Sequence, residues 1–224
     1  MKTFIHTPVT IEDITATTGT DGNRVYQTPD GKLYPSVTTV LSHHTKKGIM
    51  EWRQRVGEQE ANKISRQAAT RGTHFHTLAE KYLQNNFTPT GTDKPVSLHN
   101  LEMFKIAQPT LDRIDNIRAQ EVGLWSHHLR LAGRVDCIAE FDGKLSIIDF
   151  KTARREKDED HIQHYFMQAA AYAVMFEERT GIPVNRLVIA IAVEDGMMQL
   201  FQSKRDRHIE GLLFYRDLHE VLHR

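Results

Sequence analysis

Asp149 and Lys151 stand two residues apart at the end of an apolar run, KLSIIDFKTA, residues 144–153. In an extended strand, residues i and i+2 point to one face. An acid and a base would therefore leave the core side by side. The pattern Asp-x-Lys occurs three times: Asp30-Gly31-Lys32, Asp142-Gly143-Lys144 and Asp149-Phe150-Lys151. The first two are Asp-Gly turns, where Asp tolerates the bend and Gly supplies positive φ. The third follows a strand and has no turn to explain it. The Asp142-Gly143 turn also gives Asp149 a neighbour. Pairing Phe141 with Lys144 around it carries Asp136 opposite Asp149. Two carboxylates so placed repel each other. A hard divalent cation removes that repulsion. Mg²⁺ takes oxygen ligands, keeps several waters, and needs only one or two carboxylates plus substrate phosphates. A lysine beside it can orient or deprotonate a water, the chemistry of phosphodiester hydrolysis. The same residues also fit a surface Asp–Lys pair with Asp136 capping a turn, and spacing alone does not choose.

The elements that must hold these residues are legible in outline. EVGLWSHHLRLAGRVDCIAEFDGKLSIIDFKT predicts three antiparallel strands, about 121–127, 130–141 and 144–151. A helix over about 160–179 ends at Gly181, with Pro183 beyond. LVIAIAVEDGMMQLFQ predicts two more strands, the first apolar on both faces and so interior. The last 19 residues predict a helix with the stripe Phe214, Leu218, Val221, Leu222. Upstream, RVYQTPDGKLY predicts a hairpin turning at Asp30-Gly31. Ser36 is the expected N-cap of a short helix, VTTVLS. A polar helix is expected from about 49 to 69, a break at Arg71-Gly72-Thr73, and another helix over about 73–85. The stretch 87–99 reads as a loop. A helix is expected over about 100–118, kinked or restarted at Pro109. The order predicts an α/β fold: a βββαββα core over 119–224 behind a hairpin and helical region over 1–118.

Composition sets bounds. The 224 residues carry 29 basic and 29 acidic side chains, so the formal net charge is zero. Binding to a polyanion must come from a local patch or a metal, because the overall field gives no help. A lone cysteine, Cys137, excludes an internal disulfide framework and any four-cysteine zinc or iron–sulfur site. No G-x-x-x-x-G-K-[ST] loop occurs, so no nucleoside triphosphate is expected to be used. No signal-peptide or membrane-spanning pattern is visible. A cytoplasmic setting, in a bacterium or a phage-infected cell, is the expectation.

With the motifs assembled, GRVDCIAEFDGKLSIIDFKTA followed by QAAAY resembles the PD-(D/E)XK nuclease superfamily, and within it the RecB-like exonucleases. The shared pattern is G-x-x-D, a hairpin, D-x-K, then Q-x-x-x-Y on a helix. Here these are Gly133 to Asp136, Asp149 to Lys151, and Gln168 to Tyr172. Gly72, Thr73, His76 and Glu80 match an upstream G-T-x-x-H-x-x-x-E. YPSVTTVLS, with Trp52 and Gly57 after it, looks like the small helicase-free members of mitochondrial, phage and bacterial origin. The resemblance spans roughly residues 34–200.

The resemblance implies a restriction-endonuclease-like core, a central mixed β-sheet flanked by helices. It implies Mg²⁺ or Mn²⁺ held by Asp136, Asp149 and the Phe150 carbonyl, with His76, Glu121 and Glu80 at or beside the metal. Lys151 would position the attacking water and stabilise developing charge, with Gln168 and Tyr172 bracing it or touching DNA. The N-terminal helices would arch over the site so that a single-stranded end threads through. Arg71, Thr73, Arg154, Arg155 and Trp52 are the candidate DNA contacts, with Lys46, Lys47, Arg53 and Arg55 as further bases and Tyr34 and Phe75 as further stacking rings. Such bases otherwise lie on solvated helix faces, and such rings in cores. The expected activity is a metal-dependent DNA exonuclease acting on single-stranded ends in replication, recombination or repair, alongside other proteins of those processes. A flap or other structure-specific endonuclease is the alternative on the same site, and a non-catalytic DNA-binding protein is the alternative outside catalysis.

Overall fold

Gly57, at φ 84, separates two long helices and decides the shape of the N-terminal region. In the computed structural model, which describes residues 2–19, 22–87, 97–194 and 196–223, helix α1 runs Val37–Val56 and α2 runs Glu58–Leu83. Ser36 caps α1 as expected, its hydroxyl accepting from Thr39 N at 3.0 Å. The break expected at Arg71-Gly72-Thr73 is absent, and so is the gap between the helices expected at 37–42 and 49–69. A glycine inside a helix costs only about 1 kcal/mol relative to alanine. Here Gly72 faces β6 at ordinary contact distance: a Cβ there would be 3.8 Å from Thr152 Oγ1.

Before α1, strands β1 (Ala16–Thr18), β2 (Arg24–Gln27) and β3 (Leu33–Pro35) form a small antiparallel sheet. Its second turn is the expected Asp30-Gly31, with Gly31 at φ 84. Helix α3 (Leu98–Leu111) starts at the Ser97 cap and holds Pro109 in its last turn. The expected 100–118 helix is thus too long. Residues 114–118 belong to β4 (Ile114–Ser126), and Ile114 and Phe141 pair across the ladder to β5. Strand β4 runs through position 118/119. Of the loop expected at 87–99, residues 88–96 lie outside the described residues and 98–99 are already helical.

Strands β5 (Leu131–Phe141) and β6 (Lys144–Ala153) form the expected hairpin. A 3-10 turn (Glu159–Ile162) leads into α4 (Gln163–Thr180), which stops at Gly181 in the left-handed region, φ 73. Then come β7 (Arg186–Val193), β8 (Met198–Lys204) and α5 (Ile209–Leu222). The sheet order is β4-β5-β6-β7-β8, antiparallel except for the β6/β7 pair. That parallel pair requires a crossover, and α4 supplies it. Interior β7 is buried at every residue but its first, as its two-faced apolarity predicts.

Helices cover both faces. Val40 of α1, Phe166 and Tyr172 of α4, and Leu212 of α5 pack with Ile147 and Ile189 of the sheet. Phe75 and Leu78 of α2 and Met103 of α3 pack with Ile148, Phe150 and Val188 on the other face. None of the helices is long and apolar enough to cross a membrane, among the described residues.

Candidate active site

The β5/β6 ladder runs from Phe141–Lys144 to Cys137–Ile148, and the next pair would be Asp136 and Asp149. There the two strands part. Asp136 Oδ2 accepts from the Phe150 backbone N–H at 2.8 Å, in place of a strand-to-strand bond. On the other side of β5, Asp136 falls opposite Glu121, since Gln120 pairs with Cys137 and Val122 with Val135. Glu121 has φ +46, a backbone conformation that residues with a side chain rarely adopt. It marks a break in the alternation of both strands. Ala119 and Val122 face one core, as do Val135 and Ile138, at spacings of three where a regular strand gives two. This local irregularity turns Glu121 and Asp136 towards α2, and a strained residue of this kind is a common mark of a functional site.

Helix α2 brings His76 to that point. His76 Nδ1 is 3.7 Å from Asp136 Oδ1 and 4.0 Å from Glu121 Oε1. One ligand-type atom from each of the three lies within 4.8 Å of the others. From β6, Asp149 is fully buried. Lys151 Nζ sits 2.6 Å from Asp149 Oδ2. The contact is an ion pair rather than a directed hydrogen bond, and neither Asp149 oxygen has a well-angled donor among the described residues. Apart from Lys151, the buried Asp149 carboxylate has no donor among the described residues, and a buried charge so sparsely bonded is costly. A hard cation is the partner that its chemistry fits.

The electrostatics agree. Burial pushes Asp149 up to about 6, with Asp136 adding to the rise and Lys151 opposing it. Burial also raises Asp136, against the pull of His76 and Lys151. For Lys151, burial alone would lower the pKa, but Asp149 and Asp136 outweigh it and hold the amine above its usual value. His76 behaves the same way: burial lowers it, and Glu121 and Asp136 more than restore it. The cluster is a set of acids short of positive charge.

Helix α4 closes the site from the other face. Gln168 Nε2 donates to the Tyr172 hydroxyl at 3.2 Å, so the two side chains bond to each other. Tyr172 is 2% exposed, and burial keeps its phenol well above the ordinary value and so protonated. The G-x-x-D glycine acquires a reason here. A Cβ on Gly133 would lie 2.8 Å from Tyr172 Cε1 and 3.0 Å from its hydroxyl. Gly133→Ala is expected to destabilise the protein by about 1–3 kcal/mol through overpacking, lowering its melting temperature by several degrees in a thermal melt. One turn before Gln168 lies Tyr165, whose ring has Lys151 Nζ 5.1 Å from its centroid. Tyr165, Gln168 and Tyr172 follow the i, i+3, i+7 spacing of one helix face, a signal the sequence carried.

Other expected contacts fare unevenly. Glu80 accepts from Gln84 Nε2 at 3.0 Å and is not among the residues gathered around His76. Arg71 is committed to Glu194 at 2.8 Å, and Arg154 approaches the same carboxylate at 3.9 Å. Thr73 bonds back to its own helix at Ala69 O. Phe75 and Tyr34 are buried in cores and do not offer faces for stacking. Trp52 and Arg155 do better. They line a cleft of about 920 Å³ that also meets Arg55, His164 and Tyr165, and so reaches the neighbourhood of Lys151. Its bases Arg55, Arg155 and Lys157 are balanced by Glu156, Asp158 and Asp160.

Comparison with known proteins bears on this geometry. The family model of the PD-(D/E)XK nuclease superfamily matches residues 95–208, half of the chain, and includes Asp136, Asp149, Lys151, Gln168 and Tyr172. The chain is similar to mitochondrial genome maintenance exonuclease 1 of Homo sapiens, 30% identical over 177 residues, and of Mus musculus, 27% identical over 175 residues. The alignments cover 73% and 72% of this chain and 50% of each relative. The chain thus spans about half the length of the curated relatives it matches. A crystal structure from Eubacterium rectale is 17% identical and covers 67% of this chain and 64% of its own, at a TM-score of 0.43, too loose a likeness to add to the assignment. The matched span, the mixed sheet with helices on both faces and the acid–acid–lysine fork agree: this chain belongs to the PD-(D/E)XK nuclease superfamily.

Proposed function

We propose that the chain is a divalent-metal-dependent DNA exonuclease that hydrolyses phosphodiester bonds from single-stranded ends. The observation that carries the reading is the fork itself. Asp136 and Asp149 are raised by burial, and Asp149 has Lys151, 2.6 Å away, as its one donor among the described residues. Asp136, Asp149 and the Phe150 carbonyl would hold Mg²⁺ or Mn²⁺, with Glu121 and His76 alongside. Such an ion would supply Lewis-acid polarisation of the scissile phosphate and an acidified water.

The chain's own groups do the rest. Without the ion, Asp149 and Asp136 hold the Lys151 ammonium above its usual pKa, beside the place where the water would sit. Lys151 orients the attacking water and offsets charge developing on the phosphate. Tyr172 and Gln168 hold the β5 side of the fork against α4. His76 orients the Asp136 carboxylate from α2.

Depth supports a single-stranded substrate. The Asp149, Asp136 and Lys151 side chains are only 1%, 12% and 19% exposed. A flexible strand reaches such a site more readily than a stiff duplex. The balanced charge of the cleft gives a polyanion little long-range attraction. Affinity then rests on phosphate contacts at the metal and stacking on Trp52. The mitochondrial relatives are named exonucleases, and this supports the same direction for the chain.

The test uses end-labelled single strands, duplexes and circular single strands with Mg²⁺, Mn²⁺ or a chelator. Linear single strands should be shortened from an end in either metal, and circles should survive. Cleavage of circles would point instead to a flap or structure-specific endonuclease. No metal-dependent cleavage of any substrate would leave a DNA-binding protein.

A further inference from the structure

A second cluster of ligating side chains joins α1 to α5 and shares no residue with the fork. His43 comes from α1, His219 from α5 and His223 from the cap position just after α5, and one ring nitrogen of each lies within 4.8 Å of the others. We propose that His43, His219 and His223 form a zinc-binding site that pins α1 to α5.

His223, the cap residue that ends α5, lies four residues after His219. Their rings lie 4.0 Å apart. His43 Nε2 is 3.1 Å from His219 Nδ1. Two nitrogens bound at about 2.0–2.1 Å to a tetrahedral Zn²⁺ stand about 3.3–3.4 Å apart. The pair therefore needs only a small separation to share an ion. His223 Nδ1 lies 2.8 Å from the His219 carbonyl oxygen. A carbonyl only accepts, so Nδ1 carries the proton and Nε2 keeps its lone pair. Ligating histidines are commonly fixed by an outer bond of this kind.

The donor set also selects the ion. Three imidazoles without a carboxylate suit Zn²⁺ and its neighbours rather than Mg²⁺. The cluster opens on a cleft of about 390 Å³ lined by Asn23, Thr39, Ser42 and Lys46, which leaves room for a water as fourth ligand. The location gives the ion a purpose. The residue after His43 is His44, which lines the larger cleft leading towards Lys151. A metal at His43 would hold that wall of the cleft to the C-terminal helix.

The experiment is direct. Chelator-stripped protein is titrated with Zn²⁺, and bound equivalents and melting temperature are measured for wild type, His223→Ala, His43→Ala/His223→Ala and His128→Ala. His223 and His128 are both exposed, so neither single change threatens folding. Wild type and His128→Ala should bind one more equivalent than the double variant and melt higher with Zn²⁺. His223→Ala should bind that equivalent at least about tenfold more weakly, no less than the loss of an outer-sphere partner. Equal stoichiometry and equal melting shifts in wild type and His223→Ala would overturn the proposal. Any Zn²⁺ taken up at the fork is common to all four proteins and cancels.

Discussion

Replacing Lys151 with alanine is expected to slow DNA cleavage by about 100–1,000-fold, the range for removing one preorganised charge-stabilising donor. The Lys151 ammonium is 2.6 Å from the Asp149 carboxylate and is held protonated by Asp149 and Asp136. Its loss removes the one positive side chain on the β6 side of the fork, where negative charge develops. Binding of the labelled strand should change far less, because phosphate contacts elsewhere persist. Lys151→Arg should not rescue the rate: a planar, longer fork cannot replace a compact ammonium in this confined place. The measurement is turnover of a 5′-labelled single strand at saturating Mg²⁺, beside strand affinity in the same buffer. A rate within a few-fold of wild type would remove Lys151 from the reaction.

How much of the fold is legible in the sequence follows from how local each signal is. The Asp142-Gly143 turn fixes the β5/β6 register within a few residues, so the ladder is legible up to Cys137 and Ile148, beyond which Asp136 bonds to Phe150 N instead. Ser36 and Gly181 acted as caps for the same reason. Non-local competition escaped. Asp112 to Arg118 reads equally as a helix end or a strand, and only pairing of Ile114 with Phe141 and a bridge between Ile117 and His6 decide for strand. Gly72 looks like a helix stop, but docking of α2 on β6 overrides propensity. The N-terminal break fell instead at Gly57, where positive φ is required.

The site shows the same division. His76 stands beside Asp136 and Glu121, and Lys151 beside Asp149. Glu121 is more than a strand-end acid: its left-handed backbone breaks the alternation of both strands and aims two carboxylates at α2. No motif announces that. Arg71 carries the right charge for a DNA contact, yet it pairs with Glu194, far along the chain, while Arg154 stays exposed near the same carboxylate. Charge is visible in a sequence; its partner at long range is not.

Asp136→Asn should separate function from stability by moving them in opposite directions. Activity should fall by at least about 100-fold, since an outer-sphere partner alone can be worth 10–100-fold in metal affinity or activity and this acid stands at the centre of the fork. The metal-free fold should gain. Burial raises the Asp136 pKa, and Glu121 adds to the rise. A carboxyl whose folded pKa lies above its unfolded value stabilises the fold most at low pH, where it is protonated, and loses that contribution as pH climbs through the folded pKa. Asp149, pushed up to about 6, moves in the same sense. Metal-free wild type should therefore lose stability as pH rises from about 4 past 6. Asparagine still accepts from Phe150 N, which keeps the one hydrogen bond at the fork. The variant should match wild type near pH 4 and exceed it increasingly towards pH 8. Chemical denaturation with chelator at several pH values reads this directly. Added Mg²⁺ should stabilise wild type and not the variant, because only a cation that binds the folded state shifts the balance. A metal-free variant less stable than wild type at pH 8 would mean that Asp136 serves the fold rather than a cation.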